Sequence, residues 1–342
     1  MIFFSKFIRK LVRASNYLVF GISVILIAGS SAVIYWLEPD TFGSVFNGFW
    51  WVMTTVTTVG YGDYYPETVG GKGLAIFLYI FGIGLISIVI SKIVDGVSLY
   101  TQLKEEGKLQ YKGKQHYVII DWSKQAEIAI HEILKSDQTA EIVLIDNLDK
   151  TPIEDVRVHY VRGNPAHAEV LEQANLVEAK SVFIFANDVT EYNNVIRDPS
   201  YIDGKTLLIA TTIERLFPKV YTIVEIRDKH NLHNFDHIHI DEFILSSEMV
   251  SQLAVRSAIH PGASKIFSQL LTTQHGEDLY EIQAKPHWRT YRDAFDELLR
   301  EGATLISDGA ELNINRRLDD PIQKDARLFV ICDKSTHARL QA

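Results

Sequence analysis

Cysteine is almost missing: Cys332 is the sole one in 342 residues, so no internal disulfide can form and a reducing compartment fits. Methionine is scarce too, at positions 1, 53 and 249 only. With nine prolines and twenty glycines against 47% apolar residues, collagen-like and disordered chains are excluded. There is no basic excess either. Residues 1–114 carry ten Lys and Arg against seven Asp and Glu, the rest carry 24 against 36, and the formal net charge is −9. An acidic C-terminal two thirds excludes nucleic acid as its partner, because phosphate binding needs a basic surface. Mean hydropathy, at +0.02, looks like that of a soluble protein, but it averages two different halves.

Charge is absent altogether from Ala14 to Leu37 and again from Gly73 to Ser91. At about 1.5 Å per residue, the first run exceeds the roughly 30 Å of a bilayer core and the second nearly matches it. The first run continues past its small residues to Tyr35 and Trp36, so it reads as a span rather than a cleaved leader. Lys6, Arg9, Lys10 and Arg13 precede it, and Lys92, Lys104, Lys108, Lys112 and Lys114 follow the second. The positive-inside rule then places both termini in the cytoplasm of a multi-pass plasma-membrane protein. The expected order is a cytoplasmic N-terminus (1–16), a span (17–37), an outside connector (38–72), a second span (73–95) and a linker (96–115). Within the connector, 45–57 is apolar but too short to cross, which predicts a re-entrant helix. No further span and no Arg-rich membrane helix occurs, which excludes a voltage sensor of the familiar kind.

That short helix leads into Thr58-Val59-Gly60-Tyr61-Gly62-Asp63, six residues that match the potassium-channel signature throughout. Aiming successive carbonyls at one axis needs alternating backbone conformations, some with positive φ, which glycine reaches without steric cost. The chain thus resembles the potassium channels. The resemblance implies that K⁺ is the permeant ion, that the loop's carbonyls and the Thr58 hydroxyl replace its hydration shell, and that four copies close the ring. It also implies that Trp50 and Trp51, with Tyr61, brace the loop, and that Asp63 accepts from the indole of Trp51. Gly82 and Gly84 fall where two-helix bacterial channels bend their inner helix. Close helix packing is the alternative reading of these glycines. Asp95 would either ring the inner mouth or pair with Lys92 or Lys104.

Beyond the linker, short apolar runs alternate with helical patterns. Strands are expected at 116–121, 141–146, 158–161, 181–185, 221–226 and 242–245, with helices at 124–134, 168–174, 205–216 and 228–235. That alternation predicts a doubly wound parallel sheet. A helical crossover (247–276) is broken at His260-Pro261-Gly262, and a smaller unit (277–342) follows. Its expected strands are 279–284, 304–307, 312–315 and 327–332, with a helix at 291–300. Together with Gly163-Asn164-Pro165 and Leu171-Glu172-Gln173-Ala174, the layout resembles the RCK domain. Its Rossmann-like TrkA-N lobe would be 116–246 and its α+β TrkA-C lobe 277–342. The whole chain resembles the MthK-type two-helix channels, and among them the YugO-like ones. This implies a membrane helical pore gated by a ring of RCK domains, octameric in some relatives, that binds an ion or small ligand.

For the ligand, the expectations are narrower. A dinucleotide needs Gly-x-Gly-x-x-Gly after the first strand. Asp121-Trp122-Ser123-Lys124 stands there instead, so NAD is not expected, while Asp146 occupies the place of a ribose-binding acid. An adenine nucleotide at Asp121, Ser123, Lys124 and Asp146, or Ca²⁺, remains open. The family's calcium acids match only at Glu225, since Phe185 and Arg227 fill the other positions. His230, His233, His237 and His239 form a further cluster, with the first three able to hold a metal if the helix continues, or to sense pH. Two rivals remain: a Trk/Ktr-type potassium transporter subunit, disfavoured by one intact signature per chain, and an enzyme, disfavoured by the absence of a catalytic constellation.

Overall fold

The computed structural model describes residues 15–189, 195–272, 276–323 and 325–341, so the basic residues Lys6 to Arg13 lie outside it. It divides into two compact units between Leu103 and Lys104. In the first, Ser15 caps α1 (Asn16–Leu37) by accepting from the Leu18 amide. A single turn, α2 (Pro39–Phe42), ends at a left-handed Gly43, and Ser44 then caps α3 (Val45–Val56). The last helix, α4, runs over Val69–Glu105, 37 residues, with one π-helical turn at Leu78–Gly82. α1 and α4 are long and apolar enough to cross a membrane, and little of their surface is buried within the chain. α3, at 12 residues, is too short to do so. It packs on α1 at Gly48, where a Cβ would lie 2.6 Å from the Ser31 carbonyl oxygen.

At the end of α1, Glu38 ties the two long helices together. Its carboxylate is almost fully buried and accepts from the amides of Glu67 (3.0 Å) and Thr68 (2.9 Å) and from the Thr68 hydroxyl (2.7 Å). Thr68 also caps α4.

The second unit is built on a six-stranded sheet in the order β3-β2-β1-β4-β5-β6, all neighbours parallel. Its strands are β1 (Tyr117–Ile120), β2 (Ile142–Asp146), β3 (Val158–Arg162), β4 (Ser181–Ile184), β5 (Tyr221–Ile226) and β6 (Glu242–Leu245). The inner strands are apolar on both faces, as helices covering both sides require. The helices are α5 (Lys124–Ser136), α6 (Ala168–Gln173) and α7 (Pro199–Leu216). α7 starts six residues before the expected 205, because Asp198 caps it and Pro199 fills its first turn. Residues 229–235 form a 3₁₀ helix rather than the expected α-helix.

The crossover is two helices, α8 (Ser246–Ile259) and α9 (Ala263–Leu270), separated at Pro261-Gly262. The smaller lobe has a three-stranded antiparallel sheet, β7 (Glu277–Gln283), β9 (Arg327–Asp333) and β8 (Thr304–Asp308) in that order, covered by α10 (Tyr291–Glu301). A further helix, α11 (Lys334–Gln341), packs against this sheet. The strand expected at 312–315 does not form. Ile314 instead sits buried in a short 3₁₀ turn, so its apolar character marks a plug and not a strand.

Candidate functional site

α3 ends at Val56, and the chain turns back through the signature loop. The amide of Thr58 donates to the carbonyl of Thr55 (3.1 Å), and those of Val59 and Gly60 both donate to Thr54 (2.9 and 3.2 Å). Thr58, Gly60 and Gly62 have φ of +61°, +58° and +79°, whereas Val59 and Tyr61 stay negative. Handedness therefore alternates residue by residue along the loop. At Thr58 the left-handed conformation is strained, since a branched side chain avoids it.

Behind the loop, Tyr61 stacks on Trp50 with ring centroids 5.7 Å apart and planes 3° from parallel. The Trp50 indole donates to the Asp63 carboxylate at 2.8 Å. The expected donor was Trp51, and the structure corrects this. One step further round α3, Trp51 points inward and is buried, edge-on to Phe42 at 5.6 Å. Gly82 sits in the π-turn of α4, where a Cβ would meet Val56 Cγ1 at 2.7 Å, while one at Gly84 would meet nothing within 4 Å. The first glycine is therefore required by packing against α3. Asp95 lies mid-way along the C-terminal stretch of α4 and is exposed.

In the second unit, the expected ligand residues gather at the C-terminal edge of the sheet, where strand order reverses between β1 and β4. Asp121 is buried and paired with Lys205 from α7. Ser123 caps α5 by accepting from Ala126 (3.1 Å), and Lys124 pairs with Glu127 (2.7 Å) on the exposed side. Asp146 accepts from the amides of Trp122 and Asn147, both at 2.5 Å. Glu225 accepts from Ala186 (3.0 Å), and Arg227 beside it donates to the Ala186 carbonyl (2.8 Å). Sequence reasoning missed Lys205, Asn187 and Asp203. Asn187 donates to the Trp122 carbonyl (3.2 Å), and buried Asp203 accepts from the Arg227 and Asp228 amides and from Asn231. Lys205 and Asp203 come from α7 and Asn187 from the loop after β4, all far along the chain from their partners, so no local spacing marks them.

The histidine cluster does not converge. The 3₁₀ geometry separates His233 from His237, His230 pairs with Asp228 (2.9 Å), and His233 faces Asp236 (3.6 Å). Among the described residues no three His, Cys, Asp or Glu side chains come together to hold a metal.

Family models match in the same order: the ion-channel model covers residues 21–98 and the TrkA-N domain model 117–246. The Bacillus subtilis protein YugO, named for a potassium channel, is 30% identical over 80% of this chain and 82% of its own. The calcium-gated potassium channel TvoK of Thermoplasma volcanium is 27% identical over 70% of this chain and 67% of its own. Among solved structures, the human SLO3 gating ring aligns at a TM-score of 0.50 and 14% identity, over 66% of this chain and 46% of that one. The GsuK channel bound to NAD aligns at 0.46 and 14%, over 94% of this chain and 58% of that one.

The expectation against NAD does not stand. Its physical basis was the missing glycine after β1, yet Asp121 itself adopts φ of +66° there. Aspartate tolerates that conformation. The turn a glycine would supply is therefore present without one. With YugO aligned over four fifths of both chains and the two models in register, the chain belongs to the two-membrane-helix potassium channels controlled by a TrkA-N (RCK) domain, membrane proteins that pass ions and are not enzymes.

Proposed function

We propose that four copies of the chain bring their 58–63 loops around one axis as a K⁺-selective filter, and that a ring of their RCK domains opens or closes it in response to a ligand. The observation that carries this is the alternation of backbone handedness from Thr58 to Gly62, which turns successive carbonyls the same way. The unbroken helix from Ile83 to Glu105 supplies the mechanical path from the RCK domain, and a bend beyond the packed Gly82, at the uncrowded Gly84, is where it would yield. The ligand reading is a nucleotide at the cleft of Asp121, Ser123, Lys124 and Asp146, reached from the N-terminus of α5. A ligand shifts the pore only through its different affinity for two ring states. A seam for that ring is supported by the helix pair α8 and α9. α8 and α9 bury none of their residues within the chain and form an apolar groove of about 790 Å³ that includes Val250, Ile259, Phe267 and Leu271.

Protein reconstituted in liposomes is expected to pass K⁺ at least about a hundredfold faster than Na⁺, as carbonyl rings of this kind allow. Equal rates would refute the filter. A second expectation follows from the Trp50 indole. Trp50→Phe keeps the stack on Tyr61 but leaves Asp63 without its indole donor. Losing that bond costs about 1–3 kcal/mol at the mouth, because the acceptor is charged. Selectivity in the same assay should fall by about tenfold or more. Trp51→Phe, away from Asp63, should leave it unchanged; the reverse pattern would restore the original assignment.

A further inference from the structure

The chain between α4 and β1 is bound to the RCK lobe along its length. The Gly107 carbonyl accepts from the Arg162 amide (3.0 Å) and the Gln173 side chain (3.1 Å). Tyr111 donates its amide to Gln173 (2.9 Å), Gly113 accepts from Asn175 (2.7 Å), and Gln115 donates to Glu178 (2.8 Å). At the centre, the Tyr111 ring lies between two imidazoles, 4.5 Å from His116 and 5.3 Å from His159. Its phenol donates to the Glu141 carboxylate.

Both imidazoles are set up to be neutral. His159 Nε2 lies 2.9 Å from the Leu109 carbonyl and His116 Nε2 lies 3.0 Å from that of Ala174. A carbonyl only accepts, so each Nε2 carries the hydrogen. His116 is fully buried, and its Nδ1 has no partner among the described residues. A second proton would have to go there, where no acceptor waits. The charged groups facing the pair are Glu141, which favours protonation of both rings, and Lys104, which opposes it at His159; His159 also opposes it at His116. Burial outweighs Glu141 and holds both imidazoles below their ordinary value.

We propose that neutral His116 and His159, clamped on Tyr111, form a proton-sensitive latch that holds residues 107–116 to the RCK lobe and lets them go on acidification. Undocked rings titrate near about 6.5, docked ones lower, so between those values the released state binds more protons. Docking is therefore complete above about pH 6.5 and is lost as pH falls below it, by up to about tenfold per histidine per pH unit.

Hydrogen exchange of the full-length protein tests this without any ion flux, so it stands apart from the channel reading. Corrected for intrinsic rates, protection of the 107–116 amides should fall about ten- to a hundredfold between about pH 7.5 and 5.5, while β1, β4 and β5 stay protected. The double variant His116→Phe, His159→Gln cannot gain these charges and keeps a donor near Leu109, so it should hold its protection. Imidazole C2 exchange on the wild-type protein reads the same two rings directly, should that variant misfold. Unchanged linker protection on acidification, an equal loss in the double variant, or rings titrating at or above about 6.5 in the docked protein would each overturn the latch.

Discussion

Gly60→Ala is expected to abolish potassium flux while leaving the protein folded and assembled. Gly60 has φ of +58°, and a Cβ there would meet nothing within 4 Å in its own chain. The penalty is thus conformational rather than steric. An alanine in the left-handed region costs about 1–2 kcal/mol, and a fourfold ring would incur it four times, about 4–8 kcal/mol in all. The loop can escape that cost by relaxing to negative φ, which in the proposed filter would turn the Gly60 carbonyl off the axis and remove one ring of ion ligands. Flux in liposomes should drop by more than about a hundredfold, since each 1.4 kcal/mol on the path is worth about tenfold. Gly73→Ala is the matched control: it lies within helix α4, and a Cβ there also meets nothing within 4 Å. Selective flux through the Gly60 variant would remove the loop from the ion path.

The alternation of handedness that this experiment probes was legible before any coordinates, because two glycines two residues apart in a charge-poor loop have few other uses. The parallel sheet was legible for a similar reason: Val118–Ile120 and Val143–Ile145 are continuous apolar runs too short for helices. What the sequence did not reveal depends on rotation and on distance. Trp50 and Trp51 are adjacent on a helix, about 100° apart, and nothing local says which of them faces Asp63. Asp121 adopts a left-handed turn although it is not glycine, so a search for glycines misreads that loop. Its partner Lys205 is 84 residues away, and only the fold brings them together. The four histidines from 230 to 239 looked like a cluster because helical spacing was assumed; a 3₁₀ helix stops at Phe235 and scatters them. The two imidazoles that meet on Tyr111, His116 just before β1 and His159 on β3, lie on opposite sides of β2 and show no pattern at all.

Phe267→Asp on α9 should disconnect the RCK ring from its neighbours and leave the filter intact. Helices normally bury one face, but α8 and α9 bury none of theirs within the chain, and Val250, Ile259 and Leu271 are 70%, 60% and 71% exposed. An exposed apolar groove of this extent marks an association surface, and in a self-assembling channel a second copy of the same helix pair is the occupant that fits. Each apolar side chain buried there contributes about 1.5–3 kcal/mol. In a two-fold contact one substitution enters twice, so two carboxylates would be desolvated together at a cost of several kcal/mol. The chain supplies its own reporter: Cys332 is its one cysteine and is fully buried, so Leu271→Cys adds a single exposed thiol. Disulfide cross-linking through that thiol should be strong in the Leu271→Cys protein and fall at least about tenfold once Phe267→Asp is added. If a nucleotide gates the pore as proposed, flux should remain K⁺-selective but respond less to added nucleotide, because separated domains cannot act together on α4. Undiminished cross-linking together with an intact nucleotide response would show that the groove serves some other partner and that the ring closes elsewhere.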